Sequence, residues 1–387
     1  MTAMLEGSAT SDPPSWWRRR RGPGFPFLDP DGGPAEVHVV SGSFGAGHDA
    51  AAREIAIRLT DQGHLVQMWD VVDLFPFGIG RALRSAYLKQ LEVSPASWGV
   101  LLRHLQPGGP MHRLVTRALA IAGRRLLAVA SGSDLVVSTH PFASQALGRL
   151  RARGRLRTPV VTYLTDLSVH PLWVHPSVDH HLALHDVAAR QAVAWGGRAS
   201  VIEPLVPQVD GERVAPEGAR AAYRSAWGLA PDTSLALIVG GSMGIGELTA
   251  AALDVLATGL AVPVVVCGHN AALRRRLELV GGVVALGWRD DLPALLRIVD
   301  CVIQNAGGFT SLEALDAGVP VITYRCLPGH GMTNAAALEE AGLVPWAQAP
   351  SDLGGALATA FARPRTALPG ATRPTLVRAL ATQRVPA

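Results

Sequence analysis

Lysine is almost absent from this sequence, and cysteines, aromatic residues and unbroken apolar runs are all scarce. Lys89 is the only lysine, so the basic charge is otherwise arginine, a usage that GC-rich coding alone can produce. Three cysteines, Cys267, Cys301 and Cys326, fall in or beside strand-like runs without CxxC spacing. That excludes a disulfide scaffold and the usual zinc modules, and it suits a reducing cytoplasm. With 5% aromatic residues the core must be built from Ala, Leu and Val. The longest weakly charged stretch, Leu248 to Cys267, contains Asp254 and Pro263 and reads as a helix followed by a strand, so no transmembrane segment is expected. The leader, residues 1–35, holds Trp16, Trp17 and Arg18 to Arg21, but GPGFPFLDP follows where a secretory apolar core would stand. This excludes a signal peptide and leaves a disordered or headgroup-touching leader, or a misassigned start.

What is present is a repeated alternation of short apolar runs and helical patterns. At 387 residues and 48% hydrophobic content the chain can fill two cores. The net charge of +4 permits anionic partners without requiring them. Glu36 to Ser41 is a strand, followed by a glycine turn at 42, 45 and 47 and a helix through Ala50, Ala51, Ile55, Ile57 and Leu59. Asp70, ending the next strand, makes a nicotinamide-dinucleotide site the obvious rival. The glycines run G-x-x-G-x-G, however, with His48 at the helix start. Strands are expected at 134–138, 159–164 and 201–206, and a helix at 185–195. The stretch PQVDGERVAPEG then places a domain boundary near residue 207. The second half repeats the pattern, with strands at 235–239, 262–267, 282–286 and 299–303, and 375–383 reads as a final helix. Such alternation predicts α/β domains with parallel sheets covered on both faces.

The most informative stretch is QNAGGFTSLEALDAGVPVITYRCLPGHGMTN, residues 304–334. It turns through Gly307 and Gly308, and Thr310 and Ser311 are expected to cap a helix whose first turn holds Glu313. A helix amino end after a glycine turn offers free N–H groups and partial positive charge to a phosphate. A carboxylate one turn further in can accept hydrogen bonds from a ribose diol, so the pattern points to a nucleoside diphosphate. The loop Gly240 to Gly246 is a second place where backbone N–H groups can converge on an anion.

Gly307, Gly308, Thr310, Glu313, Ala314, Gly318, Pro320, Pro328, Gly329 and Asn334 keep the order and spacing of a known family. The chain resembles, over about residues 36–345, the group holding monogalactosyldiacylglycerol synthases, processive diacylglycerol glucosyltransferases and the peptidoglycan transferase MurG. Asp166, His170, Pro171, Trp173, His175, Pro176 and Asp179 follow the galactolipid-synthase run as well. The resemblance implies the GT-B fold: an acceptor domain at 36–206, a UDP-sugar domain at 207–372, and a last helix at 373–387 that in this architecture often crosses back. It implies an inverting, metal-independent transfer from a UDP-sugar to a lipid hydroxyl, with diacylglycerol the expected acceptor and no cofactor. His48 is the expected base, since a neutral imidazole can take a proton from an attacking hydroxyl. Asp49 is placed to orient that ring, and Asp166 is the second choice of base. The donor set would be Gly241, Ser242, Gly244, Arg289, Gly307, Gly308, Thr310, Ser311, Glu313, His330 and Asn334. Leu286 to Arg289 would lie at the uracil, and Arg289 or Arg325 would offset leaving-group charge.

Acceptor and membrane contacts are expected from Gly47, Arg81, Arg84, Tyr87, Trp98, Arg103, His140 and His170. Between residues 75 and 118 six basic side chains face one acid, Glu92, among many leucines. Basic amphipathic segments of this kind can lie on an anionic bilayer. The expected partners are therefore UDP-sugar, a lipid acceptor and an anionic membrane surface, at the inner face of the cell membrane and not on nucleic acid. A second basic run, Arg149 to Arg157, is read as a solvated helix end or a second lipid-facing patch. The histidines at 170, 175, 180 and 181 invite a metal reading, but their spacing fits no usual zinc pattern, so none is assigned. Two departures from the family stand out. Its Pro-Gly-Gln-Glu sugar loop is Pro328-Gly329-His330-Gly331 here, and its lysine before the glycine turn is Asn305. The sugar is thereby left open, and the rival readings are a transferase with another acceptor, a UDP-sugar epimerase on the same fold, and a non-catalytic UDP-sugar sensor.

Overall fold

The computed structural model describes residues 24, 26–106, 109–207, 215, 217–365 and 373–386, apart from the side chains of Glu92, Pro95 and Trp98. Trp16 to Arg21 and most of the stretch read as a linker lie outside the described residues.

The first half opens with β1 (Glu36–Ser41), α1 (Ala46–Asp61), β2 (Leu65–Asp70) and α2 (Val71–Leu74). Four helices follow before the chain returns to the sheet: α3 (Ile79–Val93), α4 (Pro95–His104), α5 (Pro110–Leu119) and α6 (Gly123–Ser131). Then come β3 (Leu135–Ser138), α7 (Pro141–Ala152), β4 (Val160–Tyr163), β5 (His180–Ala183), α8 (Asp186–Ala194) and β6 (Ala199–Val201). All pairings are parallel, in the order β2-β1-β3-β4-β5-β6. The central strands read VHVV, LVVS and VVTY and are buried on both faces, as parallel sheets require.

The second half runs α9 (Glu217–Ala226), β7 (Leu235–Val239), α10 (Leu248–Thr258), β8 (Val262–Val266), α11 (Ala271–Glu278), β9 (Val284–Leu286) and α12 (Leu292–Ile298). It continues through β10 (Cys301–Gln304), α13 (Phe309–Asp316), β11 (Val321–Tyr324), α14 (His330–Glu340), β12 (Trp346–Ala347), α15 (Pro350–Ala362) and α16 (Leu376–Thr382). Its sheet order, β12-β11-β10-β7-β8-β9, is again wholly parallel. Each sheet reverses its strand order once, between β1 and β3 and between β7 and β10. In open parallel sheets that reversal leaves a crevice at the strands' carboxyl ends, where ligands bind.

Several expectations are corrected. The strand expected at 201–206 ends at Val201, because the chain there leaves the sheet for the second domain, with Leu205 N–H donating to the Tyr163 hydroxyl at 3.1 Å. β5 was hidden in the histidine-rich run: His180 and His181 are strand residues, the first bonded to Ser200 Oγ at 2.8 Å and the second to the Arg198 carbonyl at 3.1 Å. Burial pushes both imidazoles down to about 4, so they stay neutral. Among the described residues no three His, Cys, Asp or Glu side chains stand close enough to hold a metal ion. Arg151, read with a basic patch, is instead clamped to the buried Asp179 at 2.5 Å and to the carbonyls of Arg157 and Thr158. Part of the stretch counted with the leader is packed: Phe27, Leu28 and Ala35 are buried while residues 29–34 are exposed, and Leu28 N–H donates to the Leu380 carbonyl at 3.0 Å. That contact belongs to α16, which lies against α1 of the first half, and Glu203 N–H also donates to the Pro374 carbonyl at 3.1 Å.

Candidate active site

The glycine turn after β1 delivers α1 to the crevice, and Gly45 is its N-cap, with no side-chain cap. His48 is therefore not a capping histidine. Its Nδ1 lies 3.0 Å from the Thr139 carbonyl and 2.8 Å from Thr165 Oγ1. A carbonyl only accepts, so the ring proton sits on Nδ1 and the lone pair is left on Nε2. The turn is held in return, with the Thr139 hydroxyl donating to the His48 carbonyl at 3.1 Å. Asp49 does not orient the ring: its carboxylate accepts from Ser41 Oγ at 2.5 Å. Asp70, the acid of the dinucleotide reading, is likewise spent, on the N–H of Val72 at 2.8 Å and on the Ser43 hydroxyl.

Asp166 stands past the end of β4 and accepts from Trp173 Nε1 at 2.8 Å, while the Trp173 ring lies 5.8 Å from His48. His140 is 3% exposed, caps α7 through Nδ1 to Phe142 N–H, and is stacked on Phe44 at 4.9 Å. Burial, and then the neighbouring His48, hold its pKa well below the usual range, so it packs as a neutral ring. His170 uses both nitrogens structurally, accepting from Leu172 N–H at 3.2 Å and meeting the Leu102 carbonyl at 3.1 Å, which ties α4 to this loop.

Across the crevice, the loop after β7 turns through Gly241 and Gly244, both at positive φ. A Cβ on Gly244 would stand 2.3 Å from the Cys267 carbonyl oxygen, so only glycine fits. The N–H groups of Gly241, Ser242 and Met243 have no hydrogen-bond partner among the described residues. The second glycine turn leads into α13, whose N-cap is Gly308 rather than Thr310 or Ser311. Those two residues lie inside the first turn, and Glu313 lies in the second. The N–H groups of Phe309 and Thr310 are free among the described residues, as helix geometry predicts. The Ser311 hydroxyl is buried and unpaired. Burial pushes the Glu313 carboxyl up to about 7. Asn305, in the lysine's place, binds the two loops together by donating to the Ile245 carbonyl at 2.8 Å.

These parts open on one cavity of about 720 Å³, lined from both halves. His48, Asp166, Gly47, Tyr87, His140 and His170 reach it from the first half. Gly241, Ser242, Arg289, Gly307, Gly308, Thr310, Ser311, Glu313 and His330 reach it from the second. His330 comes within electrostatic reach of Asp166 and His48: burial lowers its pKa, Asp166 opposes that shift and His48 adds to it. Gly331 can carry no side chain, because a Cβ there would stand 2.7 Å from the Asn305 carbonyl oxygen. Trp288 lies on the wall, stacked on His269 at 4.6 Å and 9°. Leu88, Leu91 and Leu102, from the leucine-rich basic segment, give the first-half end of the cavity an apolar wall, and Phe142, which sequence reasoning missed, joins them. Thr139 was missed too, and Thr165 was passed over although it stands beside Asp166.

Six expected residues do not reach the cavity. Gly244 only shapes its loop, and Asn334 is 1% exposed beneath the second turn. Arg325 points away and is paired with Asp254 and Glu247. Arg81, Arg84 and Arg103 are on the outer surface, and the side chain of Trp98 lies outside the described residues. Arg289 does reach it, but its charge is already met by Asp291.

Two parallel α/β domains facing one crevice define the GT-B class of fold. Anabaena HepE in complex with UDP-glucose has this fold, at 17% identity and TM-score 0.53 over 85% of this chain and 90% of that one. Acinetobacter baumannii MurG shares it, at 16% identity and TM-score 0.50 over 84% and 90%. So does the glycosyltransferase SnogD from Streptomyces nogalater, at 19% and 0.54 over 90% and 98%. More particularly, residues 48–206 match the monogalactosyldiacylglycerol (MGDG) synthase family. The chain is homologous to processive diacylglycerol β-glucosyltransferases of Bacillus. It is 29% identical to that of B. pumilus over 54% of this chain and 55% of the relative. For B. subtilis the identity is 31%, over 54% and 56%, and for B. thuringiensis 26%, over 79% and 80%. The chain thus spans about half the length of the first two relatives and about four fifths of the third.

Proposed function

We propose that this protein is an inverting glycosyltransferase that moves a sugar from a UDP-sugar to a lipid hydroxyl, with diacylglycerol as the acceptor and no metal ion required. One observation carries the reading: the free Nε2 of His48, the unpaired N–H groups of two glycine loops and the Glu313 carboxyl share a single cavity with an apolar wall at its acceptor end. The diphosphate would be met by the N–H groups of Gly241 to Met243 and of Phe309 and Thr310, where the α13 dipole adds to them. Glu313 would accept from the ribose diol, and Trp288 would border the base. The acceptor hydroxyl gives its proton to His48 Nε2 while its oxygen bonds the anomeric carbon. The carbon–oxygen bond to UDP breaks on the opposite face, and the charge left on UDP is offset by donors already in place. Crossing of the cavity by residues of both domains supports exclusion of water in the closed state.

The outer surface supports a membrane site. Phe77 is 97% exposed in a left-handed conformation that costs a bulky residue strain, directly before α3. Val93, Leu114 and Ile121 are also well exposed, in the same stretch of sequence as the exposed Arg81, Arg84, Lys89, Arg103, Arg113 and Arg117. Exposed apolar side chains interspersed in sequence with exposed basic ones suit an anionic headgroup layer. Among the described residues no helix is long and apolar enough to cross a membrane, so the docking proposed is peripheral, at the inner face of the cell membrane.

Replacing the base tests the reading. His48→Ala is expected to lower turnover by roughly 10²–10⁴-fold while UDP affinity, measured by calorimetry, stays within twofold. Full turnover in that variant would remove His48 from the mechanism.

A further inference from the structure

Asn334 lies in the second turn of α14, buried beneath the Gly307 turn and away from the cavity. Its amide nitrogen donates to the Ala306 carbonyl at 2.7 Å. Its Oδ1 accepts from both the N–H and the hydroxyl of Ser168, each at 2.7 Å. Ser168 N–H can only donate and the Ala306 carbonyl can only accept, so the amide orientation is fixed by its partners. The Ser168 hydroxyl is shared with Thr333 Oγ1 at 2.9 Å. Gly307 is required by this contact: at φ +66 its missing Cβ would stand 2.7 Å from the Asn334 Cβ. Ser168 is two residues past Asp166 and three past Thr165, the residue beside His48 Nδ1. One buried side chain therefore joins the loop that carries the acceptor-side groups to the turn that presents N–H groups for the diphosphate. Two further contacts hold α14 to the first half: Arg190 to Glu340 at 2.8 Å, and Gly99 of α4, where a Cβ would stand 3.0 Å from Gly329 N.

We propose that Asn334 and Ser168 form a latch that closes the cleft in one register, with Asn334 a positioning residue and not a donor ligand. This rests on the transfer reading above only for its purpose, since the latch itself can be seen without turnover. When the domains part, the Ser168 N–H loses the only partner it has among the described residues, whereas the amides of β3 and β10 stay within their sheets. Closure by the latch makes UDP affinity depend on the closed fraction, so damage to either partner acts on affinity in the same way.

Hydrogen exchange of the full chain, with and without UDP, tests this. In the wild type the segment around Ser168 should exchange slowly, and more slowly with UDP. Asn334→Ala should speed exchange there and at Gly307, whose N–H donates to the Gln304 side chain, by about tenfold, the effect of one net hydrogen bond or a little more. Segments covering β3 and β10 should not change. Ser168→Ala should do part of the same, and Ser168→Thr, which keeps both donors, should restore it. UDP affinity should fall by a similar factor in Asn334→Ala and Ser168→Ala, and the double variant should be little worse than either alone. Unchanged exchange at Ser168 in Asn334→Ala, or an affinity loss confined to Asn334→Ala, would overturn the latch. Should Asn334→Ala loosen β10 as well, Ser168→Ala alone decides. Intact exchange behaviour in a protein that turns over no UDP-sugar would leave the latch standing and remove the transfer reading.

Discussion

His48 and Glu313 illustrate how much of this site depends on what a single side chain touches. The imidazole's lone pair is left on Nε2 by the Thr139 carbonyl, not by a carboxylate, since Asp49 is bonded to Ser41. Glu313 has no charged partner, and burial raises its pKa to about 7. Its folded-state pKa therefore exceeds the unfolded value of about 4.3, so between those two values the folded chain binds more protons than the unfolded one. Stability from this group is full at acid pH and declines as pH rises to 7. Glu313→Gln is expected to remove that decline, raising the melting temperature relative to wild type at pH 8 but not at pH 4, while weakening UDP binding about tenfold at pH 8 through loss of an ionised acceptor. A variant with the same pH slope as wild type would contradict the assignment of a buried titrating carboxyl. At this scale the sequence was informative about residue types and poor about partners. His48 and Glu313 were legible from their places after glycine turns. Thr139 and the buried place of Asn334 were not, because backbone acceptors and burial leave no mark in a motif.

The elements that matter most are the two glycine loops and helices α3 to α5. The loops could be read in advance because positive φ and close approach restrict the residue type, as at Gly244 and Gly307. β5 could not, since HHLA looks like a cluster of ligands until its pairing with β4 and β6 is seen. The segment holding α3 reads as both basic and apolar, but which of its residues face which way was hidden. Tyr87, Leu88 and Leu91 turn to the cavity, while Arg81, Arg84 and Lys89 are exposed, and a composition count treats both faces alike. If this surface docks on anionic lipid, each arginine contributes about 1 kcal/mol near the headgroups. Arg81→Glu with Arg84→Glu should then weaken binding to phosphatidylglycerol vesicles by roughly 30-fold or more, in a salt-dependent way. Phe77→Ser should weaken it with little change in salt dependence. Vesicle sedimentation checks both, and unchanged binding in all three substitutions would move the membrane contact elsewhere.

At the scale of the whole molecule, two sheets of different strand order set their reversal points across one crevice, so His48 and the two glycine loops meet only when the domains do. The alternation of strands and helices made that architecture legible, whereas the way the domains meet was not, because the Ser168–Asn334 contact joins residues 166 positions apart. The sugar loop shows the same division. His330-Gly331 could be seen to depart from the family it resembles, but the steric reason, Gly331 against Asn305, needed the fold. The measurement that bears most directly on the account is UDP release in EDTA from UDP-glucose, UDP-galactose, UDP-N-acetylglucosamine and UDP-glucuronate, each with and without anionic vesicles containing diacylglycerol. The account predicts release with one of these sugars, dependent on the lipid and undiminished by the chelator. Tight UDP binding without lipid-dependent release from any of the four would contradict it.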